Sequence, residues 1–483
     1  MVVQTGAMGM KLARAAAAAA AAAGLALAAC SSGPAARKSS PPQSPRPQPS
    51  RSVAAGTPTN WLTYHADAAR SGFSPGLPAA GSLAVGWSRR LDGAVYGQPL
   101  AIGHLVIAAT ENDSVWGLDR STGQVRWRAH VAAALPAASQ PCSDIDPLGI
   151  TSTPVYYRGL VYVLAQAGRS GHDLVGIDPA TGRVRYRRSV PSPDGQPYYD
   201  QQRGALAAAN GRIYVTFGGH FGDCGPYVGS VVGMPAAGSG SGGTAGTGSD
   251  GTVGRIVSYL VPTSKHGGIW APGGPVIGPG GTVYVGVGNG ATSTPFDDSD
   301  SVTALSPGLR RIGVFAPRNW LADNRGDLDL GSLTPALTSS GQMLTVGKRG
   351  TGYLLDAARL GGVGGQVADA RICTAFGGAA SIGQTVVVPC ASGGPAAVSV
   401  SGGRLRVLWR GPSSASGSPV IGGGAVWVTD IQAGLLYQLN PRTGMTMHQL
   451  ALGSELPHFA SPSLSGRLVL IGTLHGVVAV TGA

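Results

Sequence analysis

The stretch Thr110–Arg128, TENDSVWGLDRSTGQVRWR, contains two short runs of alternating apolar residues on either side of a polar turn. Asp119 can cap this turn with its side chain, and Gly123 suits the positive φ of a bulged β-hairpin. The second run reaches Trp127. The turn recurs as IDPATG at Ile177–Gly182 and as LNPRTG at Leu439–Gly444. The stretch is therefore one copy of a repeated hairpin.

A second recurring element precedes these hairpins. It consists of a small residue, usually Pro, then an apolar residue and a strand that begins with Gly. Its eight copies are centred on Pro99, Pro154, Leu206, Pro275, Pro335, Ala379, Pro419 and Pro462. Successive copies lie 40 to 69 residues apart. Four short strands repeated about every 40–50 residues are typical of a β-propeller.

The flanks of the repeats predict how the ring closes. Only two strands follow the eighth copy, while Leu83–Leu91 is an unpaired strand whose Trp87 corresponds to Trp127. Placing this strand in the last blade removes an exposed sheet edge. We therefore predict an all-β, eight-bladed β-propeller with tryptophan-docking repeats over residues 61–483, closed by an N-terminal strand. A Gly/Ser-rich segment at 235–252 is predicted to be a flexible surface insert.

The composition fits many short strands joined by tight turns. Gly accounts for 78 of the 483 residues, and charged residues for only 12%; both features argue against a helical protein. The formal net charge of +12 is carried by Arg residues scattered along the chain. Because nucleic-acid binding needs clustered positive charge, we expect no nucleic-acid partner.

The N-terminus predicts export. Lys11 and Arg14 precede an Ala-rich run that is short for a bilayer span and ends in Leu-Ala-Ala before Cys30. This order resembles the bacterial lipobox, which implies a signal peptide at 1–29 and a lipid on the Cys30 thiol. The alternative is an ordinary secretory signal with a coincidental cysteine. The Pro- and Ser-rich residues 30–60 predict a disordered tether to the cell membrane.

Export places the other four cysteines in a compartment that permits disulfides. Cys142, Cys224, Cys373 and Cys390 allow three pairings. Our first choice joins Cys373 to Cys390, which flank one short segment, and Cys142 to Cys224. The sequence has no Cys-x-x-Cys-His motif and no Cys/His cluster with zinc spacing. We therefore expect neither a covalently attached haem nor a zinc site.

The pattern Gly117-x-Asp119-x-x-Thr122-Gly123-x-x-x-Trp127 resembles the tryptophan-docking repeat of quinoprotein-type eight-bladed propellers. That group includes alcohol dehydrogenases that use pyrroloquinoline quinone. The same repeat also occurs in non-enzymatic propellers such as the outer-membrane-assembly scaffold lipoprotein. The repeat therefore indicates the fold and leaves the function open.

Four segments resemble functional segments of the quinoprotein dehydrogenases, in the same order along the chain. The resemblance implies that Trp270 stacks on the quinone. It implies that Asp223 and Asn289 bind Ca²⁺ or a lanthanide. It further implies that Asp327 takes the proton of an alcohol and that Lys348 binds the quinone and polarises its reactive carbonyl.

The acidic segment around Asp327 carries a second carboxylate, Asp329. In an extended segment these two side chains face one side, so they can share a cation or hold their pKa values apart. We therefore count both among the expected metal ligands. The preceding Asp323-Asn324 taken alone suggests a solvated acidic turn, and Asp297–Asp300 is expected to be a solvated turn. His458-Phe459 is a candidate for lining the rim.

Two departures from the dehydrogenases leave a second function open. The family commonly carries adjacent cysteines over the cofactor, followed by Arg-Gly. Here Cys142 stands alone, and Asp146–Gly149 replaces the Arg-Gly; a Cys142–Cys224 bridge would be a substitute lid. One hypothesis is a membrane-anchored, quinone- and cation-dependent dehydrogenase that oxidises alcohols or polyols and passes electrons to a separate acceptor. The alternative is a non-catalytic scaffold that binds another envelope protein or a glycan.

Overall fold

The computed structural model describes residues 59–75, 77, 81–238, 254–291 and 294–482. The predicted signal peptide, Cys30, nearly all of the tether and most of the insert at 235–252 lie outside these ranges. Within the described ranges, no helix is long and apolar enough to cross a membrane.

The described strands form eight antiparallel four-stranded sheets, the blades of a propeller. Blade 1 consists of Leu100–Ile102, Leu105–Ala109, Ser114–Asp119 and Val125–His130, and blade 2 of Val155–Tyr157, Leu160–Gln166, His172–Ile177 and Val184–Val190. Blade 3 consists of Ala207–Ala209, Arg212–Gly219, Ser230–Pro235 and Val257–Leu260, and blade 4 of Val276–Ile277, Val283–Val287, Ser301–Leu305 and Arg311–Ala316.

The other four blades repeat this order. Blade 5 consists of Ala336–Leu337, Gln342–Val346, Thr351–Asp356 and Ala368–Arg371, and blade 6 of Ala380–Ile382, Thr385–Val388, Ala396–Ser399 and Arg406–Arg410. Blade 7 consists of Val420–Gly422, Ala425–Asp430, Leu435–Leu439 and Thr446–Ala451. Blade 8 consists of Ser463–Ser465, Leu468–Thr473, Gly476–Gly482 and the N-terminal Leu83–Arg90. The eight-bladed, all-β prediction is confirmed.

Short elements complete the described chain. Asp200–Gln201, Gly362–Val363 and Phe73–Ser74 add to blades 3, 4 and 7, and Leu333–Thr334 pairs with Gly377–Gly378. One α-helix covers Trp320–Gly326, and 3₁₀ turns cover Ala137–Ser139, Gly168–Ser170, Pro279–Gly281 and Leu330–Ser332. The first strands of neighbouring blades contact one another, so they surround the central axis.

The predicted docking role of Trp127 is confirmed. Its indole N–H donates to the carbonyl of Pro179 in blade 2 at 2.8 Å. Its ring lies against Gly182, where a Cβ would be only 2.7 Å from ring atoms. Gly182 also has a φ of 71°, so the turn and the close approach both favour glycine. Two further interfaces repeat this contact, Trp87 on blade 1 and Trp409 on blade 7.

The segment Thr59–Ser74 closes one end of the axis. It pairs with the ends of innermost strands of several blades, through Trp61 with Ala101, Ala68 with Ile277, Ser71 with Ser381 and Phe73 with Ile421. We call this the closed end. The interblade linkers and the turns between second and third strands lie at the opposite end, which we call the site end.

Both predicted disulfides are present. Cys142, in the linker between blades 1 and 2, is bonded to Cys224, in a turn of blade 3. Cys373, in the linker between blades 5 and 6, is bonded to Cys390. The first bridge ties together two neighbouring parts of the site end.

Candidate functional site

Lys348 brings the two predicted carboxylates together at the site end. Its Nζ lies 2.6 Å from Asp327 Oδ1 and 2.7 Å from Asp329 Oδ2. The Asp327 side chain is 73% exposed, whereas that of Asp329 is only 8% exposed. One ammonium group therefore joins a carboxylate open to solvent and a buried one.

Asn289 completes this cluster from blade 4. Its Nδ2 donates to Asp327 Oδ1 at 2.8 Å, and its backbone N–H donates to Asp329 Oδ1 at 2.6 Å. Its own Oδ1 is buried and has no hydrogen-bond partner among the described residues. A bare amide oxygen beside two carboxylates is a donor set that suits a hard cation.

The backbone around Asp327 differs from the extended conformation predicted for it. Trp320–Gly326 is a short helix, and Asp327 ends it in the left-handed region with φ 51° and ψ 49°. Its N–H donates to the Asp323 carbonyl. Asp tolerates this conformation better than most residues do. The two carboxylates therefore meet at Lys348 because of a helix end, and the prediction of an extended pair was wrong.

Asp323-Asn324, which taken alone suggested a solvated turn, is held by the surrounding structure. Asp323 is buried and forms an ion pair with Arg349, the residue after Lys348. Asn324 accepts a hydrogen bond from the Gly290 N–H at 2.9 Å and donates to Ser299 Oγ at 2.8 Å. These contacts fasten the short helix to blades 4 and 5 on both sides of the cluster.

Asp297–Asp300 is likewise a buried turn rather than a solvated one. Asp298 pairs with Arg311 at 2.7 Å and accepts the Tyr259 hydroxyl at 2.9 Å. Asp300 is fully buried and accepts the Leu330 N–H at 2.9 Å. Burial raises the pKa of Asp300 to about 8. A run of acids looks solvated in sequence because its partners come from distant segments.

Electrostatics keep the lysine charged. Burial alone would lower the pKa of Lys348, but the carboxylates of Asp329 and Asp327 raise it above its ordinary value. Burial raises the pKa of Asp329, and the Lys348 charge offsets only part of that effect. The cluster therefore holds a stable ammonium next to a carboxylate that takes up a proton more readily than usual.

Asp223 is the outlying member of the predicted set. It is exposed, and its Oδ1 accepts the Tyr227 hydroxyl at 2.6 Å. Burial and then the Asp223 charge raise the pKa of Tyr227, and Asp329 contributes to the same rise. The charges of both Asp223 and Asp329 therefore act on the Tyr227 hydroxyl. Among the described contacts, Asp223 approaches the Lys348 cluster through Tyr227 rather than through Asn289 or Asp327.

Trp270 lies beside the cluster. A Cβ at Gly288 would lie 3.3 Å from Trp270 Nε1 and 2.6 Å from Asp329 Oδ1. The Trp270 ring centroid is 6.4 Å from that of Phe376 and 6.5 Å from that of Phe459, and the two Phe rings are 6.3 Å apart. Three linkers therefore place a triangle of half-buried aromatic rings at the axis.

Phe459 was predicted as a possible rim residue, and it does line the axis. Phe376 was missed, because a single Phe in a linker carries no signal in the sequence. Arg203 was missed for the same reason; its guanidinium lies 5.8 Å from the Phe459 ring centroid. Both Arg203 and Phe459 line a small axial cavity of about 20 Å³ that reaches Tyr64 of the closing segment.

Glu111 is a further residue that the sequence reasoning missed, although it lies in the opening stretch. It is buried, and its Oε2 accepts the Gly149 N–H at 2.8 Å and the Thr151 hydroxyl at 3.2 Å. Its Oε1 has no partner among the described residues. Burial raises the pKa of Glu111 to about 7. Only the position of Glu111 in a turn between second and third strands marked it as belonging to the site end.

The cluster offers a hard cation oxygen ligands from one amide and two carboxylates. The described residues contain no group of three or more His, Cys, Asp and Glu arranged to hold a metal. A cation would therefore depend on the unpaired amide oxygen of Asn289 together with Asp327 and Asp329. The Trp270 ring beside these oxygens offers the flat apolar surface that a quinone needs.

The sequence comparisons cover parts of the chain. Residues 80–224 match a family model described as "Outer membrane protein assembly factor BamB". The polyvinylalcohol dehydrogenase of Sphingopyxis sp. (strain 113P3) is 25% identical over 239 residues, which is 46% of this chain and 33% of that relative. The match thus spans about a third of the length of this curated relative.

Solved structures share the fold over most of the chain. The quinohemoprotein alcohol dehydrogenase ADHIIG of Pseudomonas putida HK5 has a TM-score of 0.65 at 14% identity, covering 88% of this chain and 80% of its own. A europium-containing methanol dehydrogenase has a TM-score of 0.62 at 14% identity, covering 88% and 98%. BamB from Moraxella catarrhalis has a TM-score of 0.53 at 16% identity, covering 83% and 100%. The chain is an eight-bladed propeller similar to quinoprotein dehydrogenases and to BamB.

Proposed function

We propose that this chain is an exported, lipid-anchored oxidoreductase that oxidises an alcohol or polyol with a bound quinone and a divalent or trivalent cation. The observation that carries the proposal is the meeting of Lys348 with Asp327 and Asp329, beside the unpaired oxygen of Asn289. These residues come from two blades and the linker between them. A carboxylate that is held in place and yet exposed suits proton transfer from a substrate.

Each residue has a distinct role in this proposal. Asp327 accepts the hydroxyl proton, because it is the exposed carboxylate of the pair. Lys348 donates to the group that gains negative charge, and its raised pKa keeps it an ammonium. Asn289 and Asp329 would hold the cation, with Asp223 as a further candidate ligand. Trp270 would support pyrroloquinoline quinone, which when bound supplies the two-electron acceptor.

The sequence and one relative support the choice of electron acceptor and substrate class in this proposal. The sequence has no Cys-x-x-Cys-His motif, so we propose a separate electron acceptor. The matched relative is named for oxidation of polyvinyl alcohol, which favours a polyol among the candidate substrates. The Cys142–Cys224 bridge would cover the same end of the axis.

Reconstitution tests this proposal. The full chain is incubated with pyrroloquinoline quinone and with Ca²⁺ or La³⁺; quinone binding is followed by absorbance, and dye-linked oxidation is followed over a panel of alcohols. We expect Asp327→Asn to retain quinone binding and to lose about 10²–10⁴-fold in turnover. Asp369→Asn, an exposed carboxylate on the outer strand of blade 5, is the control and should keep full turnover.

A specific observation also favours the second candidate, a non-catalytic scaffold for another envelope protein or a glycan. Lys348 already compensates both carboxylates, so the cluster is stable within the chain itself. The match to a model described as an assembly factor supports the same candidate. A folded protein that binds no quinone and turns over no alcohol would contradict the oxidoreductase proposal and leave the scaffold as the better account.

A further inference from the structure

The interface between blades 4 and 5 lacks the docking ring. In blade 1, Trp127 lies opposite Gly117, immediately beyond a bulge in the outer strand pair. Blade 4 has the same bulge, and there Gly313 lies opposite Ala304. The register therefore places Gly313 at the position that Trp127 occupies in blade 1.

The other blades with this bulge carry a ring at the equivalent position. Among the described residues, six blades show the bulge, and five of them have a ring there: Trp87, Trp127, Tyr186, Trp409 and His448. Gly313 is the exception. At four of these interfaces the ring donates a hydrogen bond to a carbonyl of the next blade, whereas His448 is exposed. At Gly313 there is no ring to fill the corresponding space.

That space is a groove of about 780 Å³ between blades 4 and 5. We call it the blade 4–5 groove. A Cβ at Gly313 would meet only Ala304 Cβ at 3.7 Å and Leu360 Cδ1 at 4.0 Å, so the groove is open next to Gly313. The carbonyl that accepts the docking indole in other blades corresponds to Ala357, and here it accepts the Tyr284 hydroxyl at 2.8 Å. The interface is thus held from the second strand, and the outer position stays vacant.

The lining combines apolar walls with positive charge. Tyr284, Leu360 and Ile312 provide apolar surface, and Ile312 is 54% exposed at the rim. Arg311 and Arg359 also line the groove. Arg311 is anchored by its ion pair with the buried Asp298, but its side chain is still 48% exposed. Asp356 is the carboxylate of the lining, and its Oδ1 accepts the Ala358 N–H at 2.9 Å. The charge that the groove presents to a ligand therefore comes chiefly from Arg359, with Arg311 beside it. Such a surface suits an apolar ring flanked by negative charge.

A ring in this groove would come from another molecule. All 8 Trp, 14 Tyr and 7 Phe residues of the sequence lie within the described ranges, so no undescribed residue supplies one. We propose that the blade 4–5 groove receives an aromatic side chain from an acidic segment of a partner protein. The ring takes the outer docking position vacated at Gly313, and the acidic neighbours face Arg359 and Arg311. This binding is independent of any chemistry at the site end.

The test uses a defined peptide and a variant that fills the groove from within. The probe is acetyl-Asp-(5-fluorotryptophan)-Asp-amide, observed by ¹⁹F NMR with the full chain. We expect a shifted or broadened ¹⁹F resonance with the wild type and with Gly313→Ala, which leaves the groove open. We expect Gly313→Trp to abolish that change and to raise the thermal midpoint, because its indole occupies the groove.

Charge reversal keeps the proposal testable if Gly313→Trp misfolds. Arg359→Glu should weaken binding of the acidic peptide and strengthen binding of the corresponding Lys-(5-fluorotryptophan)-Lys peptide. The proposal is overturned if folded Gly313→Trp binds the peptide as the wild type does, or if peptide charge has no effect in either protein. Absence of any peptide binding overturns it too, and so does binding of indole-3-acetate alone, which would indicate a small-molecule site.

Discussion

Each end of the propeller axis holds a cation with several acceptors, but the two cations differ in burial and in the acceptors that they contact. At the closed end, Arg70 is 2% exposed and donates to the carbonyls of Pro275, Tyr64 and Leu206 and to the Thr63 hydroxyl. At the site end, Lys348 contacts two carboxylates, one of which is 73% exposed.

This difference separates structural from chemical use of charge. The acceptors of Arg70 include carbonyls from the starts of blades 3 and 4, so its guanidinium joins the closing segment to the ring. The acceptors of Lys348 are ionisable, and one of them is open to solvent. Replacing Arg70 with an uncharged side chain of similar size would remove hydrogen bonds that hold the closing segment to the ring. The same replacement of Lys348 would remove only its ion pairs with Asp327 and Asp329.

The largest predicted effect comes from removing the closed-end cation. Arg70→Met should lower the free energy of unfolding by about 3 kcal/mol, because it leaves several buried acceptors without a donor. Lys348→Met is the matched change at the site end. It should cost less, since Asp327 is solvated and Asp329 can take up a proton. Denaturant unfolding of both variants at pH 7 measures the difference.

Equal losses in the two variants would contradict the comparison between the ends. They would mean that the site end is as important to stability as the closed end. If only Lys348→Met lowered the free energy of unfolding, the structural cation would be Lys348 and not Arg70.

The blades of the propeller were predicted well from the sequence, because the residues that define each hairpin and strand lie close together along the chain. The turn from Asp119 to Gly123 fixes a hairpin within a few residues. The eight small-residue elements each begin an innermost strand, since a repeated unit buries the same face in every blade. The tryptophan at 127 was correctly predicted to dock because glycine in the next turn leaves room for its ring.

The site was predicted in part, for a topological reason. The linkers of a propeller all return to one end of the axis, so Asn289, Asp327, Asp329 and Lys348 were expected near one another and are in contact. Local conformation was harder, because the helix before Asp327 is only 7 residues long. The closing segment could not be foreseen: His65, Ala66 and Arg70 have positive φ values of 52°, 71° and 61°, and contacts with distant blades hold them there.

The second prediction concerns pH and the closed end. His65 is fully buried between the Ala379 carbonyl and the Ser461 hydroxyl, and burial lowers its pKa to about 3. The unfolded chain therefore binds more protons than the folded one below about pH 6.5. Stability contributed by neutral His65 is present above that pH and is lost as the pH falls towards 3. The expected loss is about 1.4 kcal/mol per pH unit, or about 2–3 kcal/mol between pH 6.5 and 4.5.

Comparison with His65→Gln isolates this effect, because other titrating groups cancel in the difference. The wild type should lose stability relative to the variant as the pH falls. A constant difference between wild type and His65→Gln across this range would show that His65 does not titrate on unfolding as expected.

The smallest predicted effect concerns the exposed carboxylate of the site. Asp327→Asn should change the free energy of unfolding by no more than about 0.5 kcal/mol, because its side chain is mostly solvated and an amide can still accept from Lys348. Asp329→Asn should cost about 1–2 kcal/mol, because the Asn289 N–H and Lys348 both donate to this buried carboxylate. Chemical denaturation at pH 7 separates the two values. If Asp327→Asn proved as destabilising as Asp329→Asn, the exposed carboxylate of Asp327 would be a structural anchor like Arg70. The distinction between the two ends of the axis would then fail at Asp327, the residue on which the proposed chemistry depends most.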